Sequence, residues 1–166
     1  MIGTEVEITL TQGKVAVIDL VDLPKVDRFL WTAVKDNHVW YAQTNVSSET
    51  GKRSTTKLHQ IPMPVAALVD HEDGDGLNNR RSNLRGCGKG ENAYNRSPRQ
   101  GSSTPYKGVY FNKQKQKFIA QIHVGDKQIY LGQSDVPGDA AQAYDVAAVQ
   151  HFGEFARPNF PIQQIA

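Results

Sequence analysis

Apolar and polar residues alternate from Glu5 to Leu10 and again from Lys14 to Ile18, with Gln12-Gly13 between the two runs. A period of two sends successive side chains to opposite faces of a strand, so two strands and a turn are expected. Asp22, ahead of Pro24, is a candidate cap for a short helix that ends before Trp31. Trp40 to Val46 reads as another strand, and Ser47 to Ser54 as polar turn. Trp31, Trp40 and Tyr41 read as core or sheet residues. An apolar run, Val65 to Val69, then delivers Asp70 and His71 into a turn-rich loop, and Gly88 to Arg96 reads as a short helix.

The second half has a different rhythm. Three strand-like runs, Tyr106 to Phe111, Phe118 to Val124 and Gln128 to Gly132, are followed by Pro137-Gly138-Asp139, which introduces a helix. Gly125-Asp126-Lys127 is a hairpin turn between the second and third runs. Ala140, Ala143, Tyr144, Ala147, Ala148 and His151 recur at three and four, a small-residue stripe suited to lying on a sheet, and Gly153 ends the helix. Phe118, Tyr130 and Phe155 read as core. Between the halves, Ser97 to Pro105 holds two prolines, a glycine and small polar residues and reads as a linker. The pattern predicts an α+β protein with a first domain over 1–97, a linker over 98–104 and a second domain over 105–166.

Composition narrows the class. The chain has 166 residues, 39% of them apolar, and no apolar run long enough to span a bilayer. No signal-peptide pattern opens it, and the single Cys87 excludes an internal disulfide and disfavours a cysteine-based zinc site. A cytoplasmic location is expected, the host cytoplasm if a phage encodes the chain. Net charge is only +2, but the cations cluster. Arg80, Arg81, Arg85 and Lys89 lie in one window without an acid; Arg96, Arg99, Lys107, Lys113, Lys115 and Lys117 lie in another. Two basic windows in a nearly neutral chain point to a polyanion partner.

The chemistry concentrates after Val69. Asn83 follows His71 by 12 positions and Asn92 follows it by 21. Hydrolysis of a phosphodiester needs a base for water, a divalent cation for the phosphate and a group that orients the base. His71 titrates near neutrality and is the natural base. Asp70 and Asn92 offer hard oxygens suited to Mg²⁺ or Mn²⁺, and Asn83 is placed to steer the imidazole. Asp75 and Asn79 read as loop structure. A calcium loop is rejected, because aligning Gly76 with the EF-hand glycine puts His71 and Ser82 where Asp and Glu are needed.

The residues Asp70, His71, Gly74, Asp75, Asn78, Asn79, Arg80, Asn83, Leu84, Arg85, Asn92, Asn95 and Arg96 together resemble the motif of a phage-type HNH nuclease of the ββα-metal class. The resemblance implies a ββα-metal nuclease domain with preceding strands. It makes His71 the general base, Asn83 its orienting residue, and Asp70 and Asn92 the metal ligands. His59 sits where that family often has a histidine after an apolar residue; it reads first as structural and second as a minor site candidate. Arg80, Arg81 and Arg85 either bind phosphate or pair with Asp73 or Asp75; Arg96 is a further DNA candidate.

From Tyr106 to Pro161 the order of strand and helix segments resembles the AP2 DNA-binding domain, a three-stranded antiparallel sheet with a helix behind it. That resemblance implies DNA contacts at Lys107, Tyr110, Lys117, Gln121, His123 and Gln128, with Lys113 alongside, and assigns Gly108, Gly132, Ala147 and Asn159 to the fold. The two resemblances together imply a Mg²⁺- or Mn²⁺-dependent endonuclease of homing type that acts on double-stranded DNA, nicks as a monomer, and makes double-strand breaks through a second event or a dimer. The rival readings are a DNA-binding regulator on a relic nuclease fold and a nonspecific defence nuclease.

Overall fold

The computed structural model describes residues 5–47, 51–98 and 101–161. Alternation at the N-terminus produces the expected hairpin: β1 (Glu5–Thr9) pairs antiparallel with β2 (Val15–Asp19), from Glu5↔Asp19 to Thr9↔Val15. The reversal is a 3-10 turn, Thr11–Gly13, in which Gln12 and Gly13 both take positive φ. The short helix α1 (Leu23–Val26) follows, with Pro24 in its first turn. Asp22 precedes it but makes no capping bond; its buried carboxylate instead receives Arg81.

A second sheet was only partly legible. It has the order β3 (Thr32–Asp36), β4 (Val39–Ser47), β5 (Arg53–Lys57). Only β4 was expected. β5 carries Arg-Ser-Thr-Thr-Lys, so as an exposed edge strand it shows no apolar alternation; its first two residues fall in the expected turn and the other three carry no expectation. Residues 48–50 of that expected turn lie outside the described residues. Leu10, Ala16, Ile18, Val26, Trp31, Ala33, Ala42 and Leu58 form one core beneath the hairpin and this sheet. Ile18, Val26 and Leu58 are fully buried, each worth about 1.5–3 kcal/mol.

The run Val65 to Val69 is not a strand over its length. Pro62 and Pro64 remove backbone donors, and Val65 is 97% exposed. Only its end enters β6 (Val69–His71), which pairs antiparallel with β7 (Leu84–Gly86).

The chain divides into two compact units, Met1–Gly88 and Lys89–Ala166. The division falls ahead of the proline-rich segment in which the sequence places its linker. The reason is local: α2 (Lys89–Tyr94) ends on Tyr94, whose ring stacks on Phe152 at 3.7 Å and 8°. Arg99 and Gln100 of the expected linker lie outside the described residues.

The second unit holds β8 (Val109–Asn112), β9 (Lys117–Val124) and β10 (Lys127–Ser134) in the order β10-β9-β8, all antiparallel, with α3 (Pro137–Phe152) behind them. Val109, Ala120 and Ile122 meet Ala140, Ala141, Tyr144 and Ala148 of α3 in the core. At Gly108, φ is 75° and an added Cβ would lie 1.9 Å from the Tyr144 ring, so glycine is required there and β8 begins only at Val109. His151, expected in the helix stripe, is exposed; Ala141 and Asp145 take buried places. Asp145 accepts bonds from the Asn159 backbone and side chain and from the Phe160 backbone, which fixes the tail on α3. Tyr130, expected in the core, is 59% exposed. The described residues thus form a mixed α/β chain of small antiparallel sheets and few helices, consistent with the α+β class. None of its helices is long and apolar enough to cross a membrane.

Candidate active site

The pairing of β6 with β7 sets Asp70 opposite Arg85 and His71 opposite Leu84. Both Asp70 and His71 are buried, His71 at 5% exposure. Arg85 grips Asp70 through Nε and Nη2, both donating to Oδ2 at 2.9 and 2.8 Å. Each side chain of this pair is largely buried, so the carboxylate depends on the guanidinium for its charge balance.

The loop between the strands is organised around Asp73. Its Oδ1 accepts from the Asp75 backbone and from Asn83 Nδ2, and its Oδ2 from Asn78 Nδ2. Burial pushes the Asp73 carboxyl up, but these hydrogen bonds and the nearby His71 outweigh it and hold it below the usual range. Asn83 also donates to the Asn78 carbonyl and accepts from the Asp73 backbone. These bonds place Asn83 in the loop scaffold. The amide at the His71 ring is Asn79, whose Oδ1 lies 3.4 Å from Nε2.

Asn79 is fully buried and doubly anchored. Its backbone N–H donates to the Val17 carbonyl of β2 at 2.7 Å, and Nδ2 donates to the Leu77 carbonyl at 2.9 Å. Those bonds turn Oδ1 toward the histidine. An acceptor at Nε2 favours the tautomer that carries its proton there. Burial pulls the His71 pKa below 6.5, against Asn79 and the Asp73, Asp70 and Asp75 charges, so the ring is kept neutral. A neutral imidazole is the form that accepts a proton.

Two further rings close on His71: Tyr41, expected in core or sheet, and His59, expected as structural with a minor claim to the site. His59 follows β5 in a 3-10 turn, Leu58–Gln60, and meets His71 edge to face at 5.1 Å between centroids. Tyr41 of β4 contacts both, at 6.1 Å from His59 and 5.9 Å from His71. A Cβ on Gly76 would lie 2.6 Å from the Tyr41 ring and 2.4 Å from the Trp40 carbonyl, so the loop backbone presses directly on β4. Tyr41 gave no local signal because it comes from β4, well ahead of the motif in sequence, whereas His59 was signalled by its place after an apolar residue shortly before the motif.

The three motif arginines are engaged by acids, though not by Asp73 or Asp75. Arg80 bonds Glu5 at 2.5 Å and Asn78; Arg81 makes a two-point bond to Asp22, and its backbone N–H reaches Asp19; Arg85 holds Asp70. The N-terminal hairpin is therefore part of the site's support.

In the second unit, Asn92 lies half-buried on α2, Asn95 is buried just after it, and Arg96 is exposed. Lys107 donates through Nζ to the Tyr94 carbonyl, and Lys117 pairs with Asp135 at 2.5 Å. Lys113 is exposed in the β8–β9 turn. Register puts Gln128 beside His123 and Tyr130 beside Gln121, and the parity that sends Ile122 into the helix-side core sends His123 and Gln121 to the other face. Gln128 Nε2 donates to Gln121 Oε1 there. Tyr110 is also exposed.

No family model matches the chain. It is 30% identical over 155 residues to Uncharacterized HNH endonuclease L560 of Acanthamoeba polyphaga mimivirus, covering 89% of this chain and 76% of that protein. It is 28% identical over 96 residues to Protein 3.8 of Escherichia phage T7, covering 58% of this chain and 78% of that one.

Proposed function

The chain belongs to the HNH endonuclease family, and from that premise we propose that it is a metal-dependent endonuclease that hydrolyses phosphodiester bonds of double-stranded DNA. The observation that supports this reading best is the neutral, buried His71 at the end of β6, with Asp70 beside it and the Asn79 carbonyl at Nε2. His71 accepts the proton of the attacking water, and Asn79 stabilises the imidazolium that results.

Among the described residues no group of three His, Cys, Asp or Glu side chains forms a metal site. The donor set fits a hard divalent cation held by few protein oxygens and completed by water and substrate, as Mg²⁺ or Mn²⁺ prefers. Asp70 supplies one oxygen, and the family motif supplies Asn92 as the second. Such a cation, when bound, polarises the phosphate and offsets charge on the leaving oxygen.

For the second unit, the open sheet face with Tyr110, Gln121, His123, Gln128 and Tyr130 supports a role as an AP2-like DNA-reading module. A sheet of this width fits the major groove. One active centre per chain makes a nick the product of one encounter. The homing type rests on the motif resemblance alone.

The test is relaxation of supercoiled plasmid by the full chain with Mg²⁺. Nicking is expected for the wild type, and none with His71→Ala or with EDTA. Wild-type nicking by His71→Ala would remove the assignment.

A further inference from the structure

His59 has two features that packing alone does not explain. It is 9% exposed, yet neither of its ring nitrogens makes a hydrogen bond among the described residues. Those residues also contain no sealed side-chain nitrogen or oxygen that lacks a partner. An unpartnered His59 nitrogen is therefore in reach of solvent, in a ring packed against the buried His71. Leaving such a nitrogen without a protein partner in a nearly buried place costs free energy unless another molecule bonds it.

The position identifies that molecule. The His59 ring stands 5.1 Å from the His71 ring, edge to face. A water that gives its proton to His71 lies within about 3 Å of that ring, and the phosphorus it attacks lies about 3–3.5 Å further. A phosphate at about that distance from His71 is within reach of one hydrogen bond from a ring packed against His71 on the substrate side. We propose that His59 is a further catalytic residue, a neutral imidazole that donates one N–H to a non-bridging oxygen of the scissile phosphate.

The surroundings suit a donor and exclude a second base. Burial first, then the electrostatic influence of the neighbouring His71 and Lys57, holds the His59 pKa down at about 3. The ring is therefore uncharged wherever His71 is able to act, and it does not compete for the proton of the water. A neutral imidazole still has one N–H to give. Its place is fixed by the capped turn Leu58–Gln60, where the Lys57 backbone donates to Gln60 Oε1 at 2.8 Å, by the fully buried Leu58, and by Tyr41 on its flank. A donor held in advance costs little reorganisation when charge builds on the phosphate.

The inference rests on His71 as the base, so both are tested together on the full chain with Mg²⁺ and plasmid DNA. His59→Phe keeps an aromatic ring against His71 and Tyr41 but removes the donor. It is expected to lower kcat about 10- to 100-fold with KM, DNA affinity and melting temperature at pH 7.5 unchanged. His59→Gln restores an N–H and is expected to recover part of the rate. A comparison of His59→Gln with His59→Leu makes the same decision if the phenylalanine variant melts too early. Wild-type kcat in His59→Phe, with His71→Ala inactive, overturns this inference and leaves the centre intact. Equal rates in the glutamine and leucine variants also overturn it. Wild-type nicking by His71→Ala removes the base, and the role of His59 with it.

Discussion

Asn79 sets its side-chain carbonyl 3.4 Å from His71 Nε2 while its own backbone is bonded to Val17 of the N-terminal hairpin. The orientation of the base is thereby tied to a strand some 60 residues earlier in the chain. Asn79→Ala removes the acceptor that selects the tautomer. We expect kcat to fall about 10- to 100-fold with DNA affinity kept, as for partners that orient an active-site histidine. Asn83→Ala removes the Asp73 and Asn78 bonds instead, and should cost about 1–3 kcal/mol of unfolding free energy. Denaturant titration and single-turnover nicking of both variants separate the two roles; a larger kinetic loss from Asn83→Ala at matched stability would reverse them.

The difference between these two asparagines shows what the sequence carries. The dense motif from Asp70 to Arg96 locates the loop, because each of its turn residues acts within a few positions of itself. Asp73, Asn78 and Asn83 bond one another locally. What orients the base is not local. Asn79 faces His71 only because Leu77 and Asn79 dock on the edge of β2, Tyr41 arrives from a sheet whose edge strand is too polar to announce itself, and His59 comes from the turn after that strand. The second unit was more legible, since its strands alternate and α3 has an apolar stripe. Tyr130 was misread because an aromatic in a strand has the same signature on either face.

The Asp70–Arg85 pair predicts a second asymmetry. Arg85→Met removes one partner of a largely buried ion pair, so a loss of about 3–5 kcal/mol is expected. Asp70→Asn keeps the shape and is expected to cost less stability. It should still raise the Mg²⁺ concentration needed for half-maximal nicking. Asn92→Ala should raise it too, while EDTA should stop cutting and spare DNA binding. These are read by thermal melting and by nicking across a Mg²⁺ series; unchanged Mg²⁺ dependence in both variants would exclude them as ligands.

His59 also gives the fold a pH dependence. Its pKa falls from 6.5 in the unfolded chain to about 3 in the folded one. Between these values the unfolded state binds a proton that the folded state does not. Stability is therefore fully present above 6.5 and declines as pH falls toward about 3. His71, shifted in the same direction by burial, adds to the loss below 6.5. His59→Phe should melt at a temperature less sensitive to pH across that window. Identical slopes for wild type and variant between pH 6.5 and pH 4 would show that His59 does not enter the linkage.

The last prediction separates attraction from reading on the second unit. Lys113 is exposed in its turn, whereas Lys107 holds the Tyr94 carbonyl and Lys117 is paired with Asp135. Each neutralised phosphate steepens log K against log salt by about 0.9. Lys113→Ala should therefore flatten that slope by about one unit on any DNA, and Lys117→Ala by less, since Asp135 already competes for its charge. Gln121 and Gln128 are joined amide to amide, which fixes the orientation of both. An oriented amide bonds adenine in the major groove, and its loss costs about 1–3 kcal/mol on the correct site only. Gln121→Ala and Tyr130→Ala should thus weaken binding to a mapped cleavage site more than to scrambled DNA, with the salt slope kept. A uniform loss across both DNAs for Gln121→Ala, together with a flattened slope, would place that residue among the phosphate contacts.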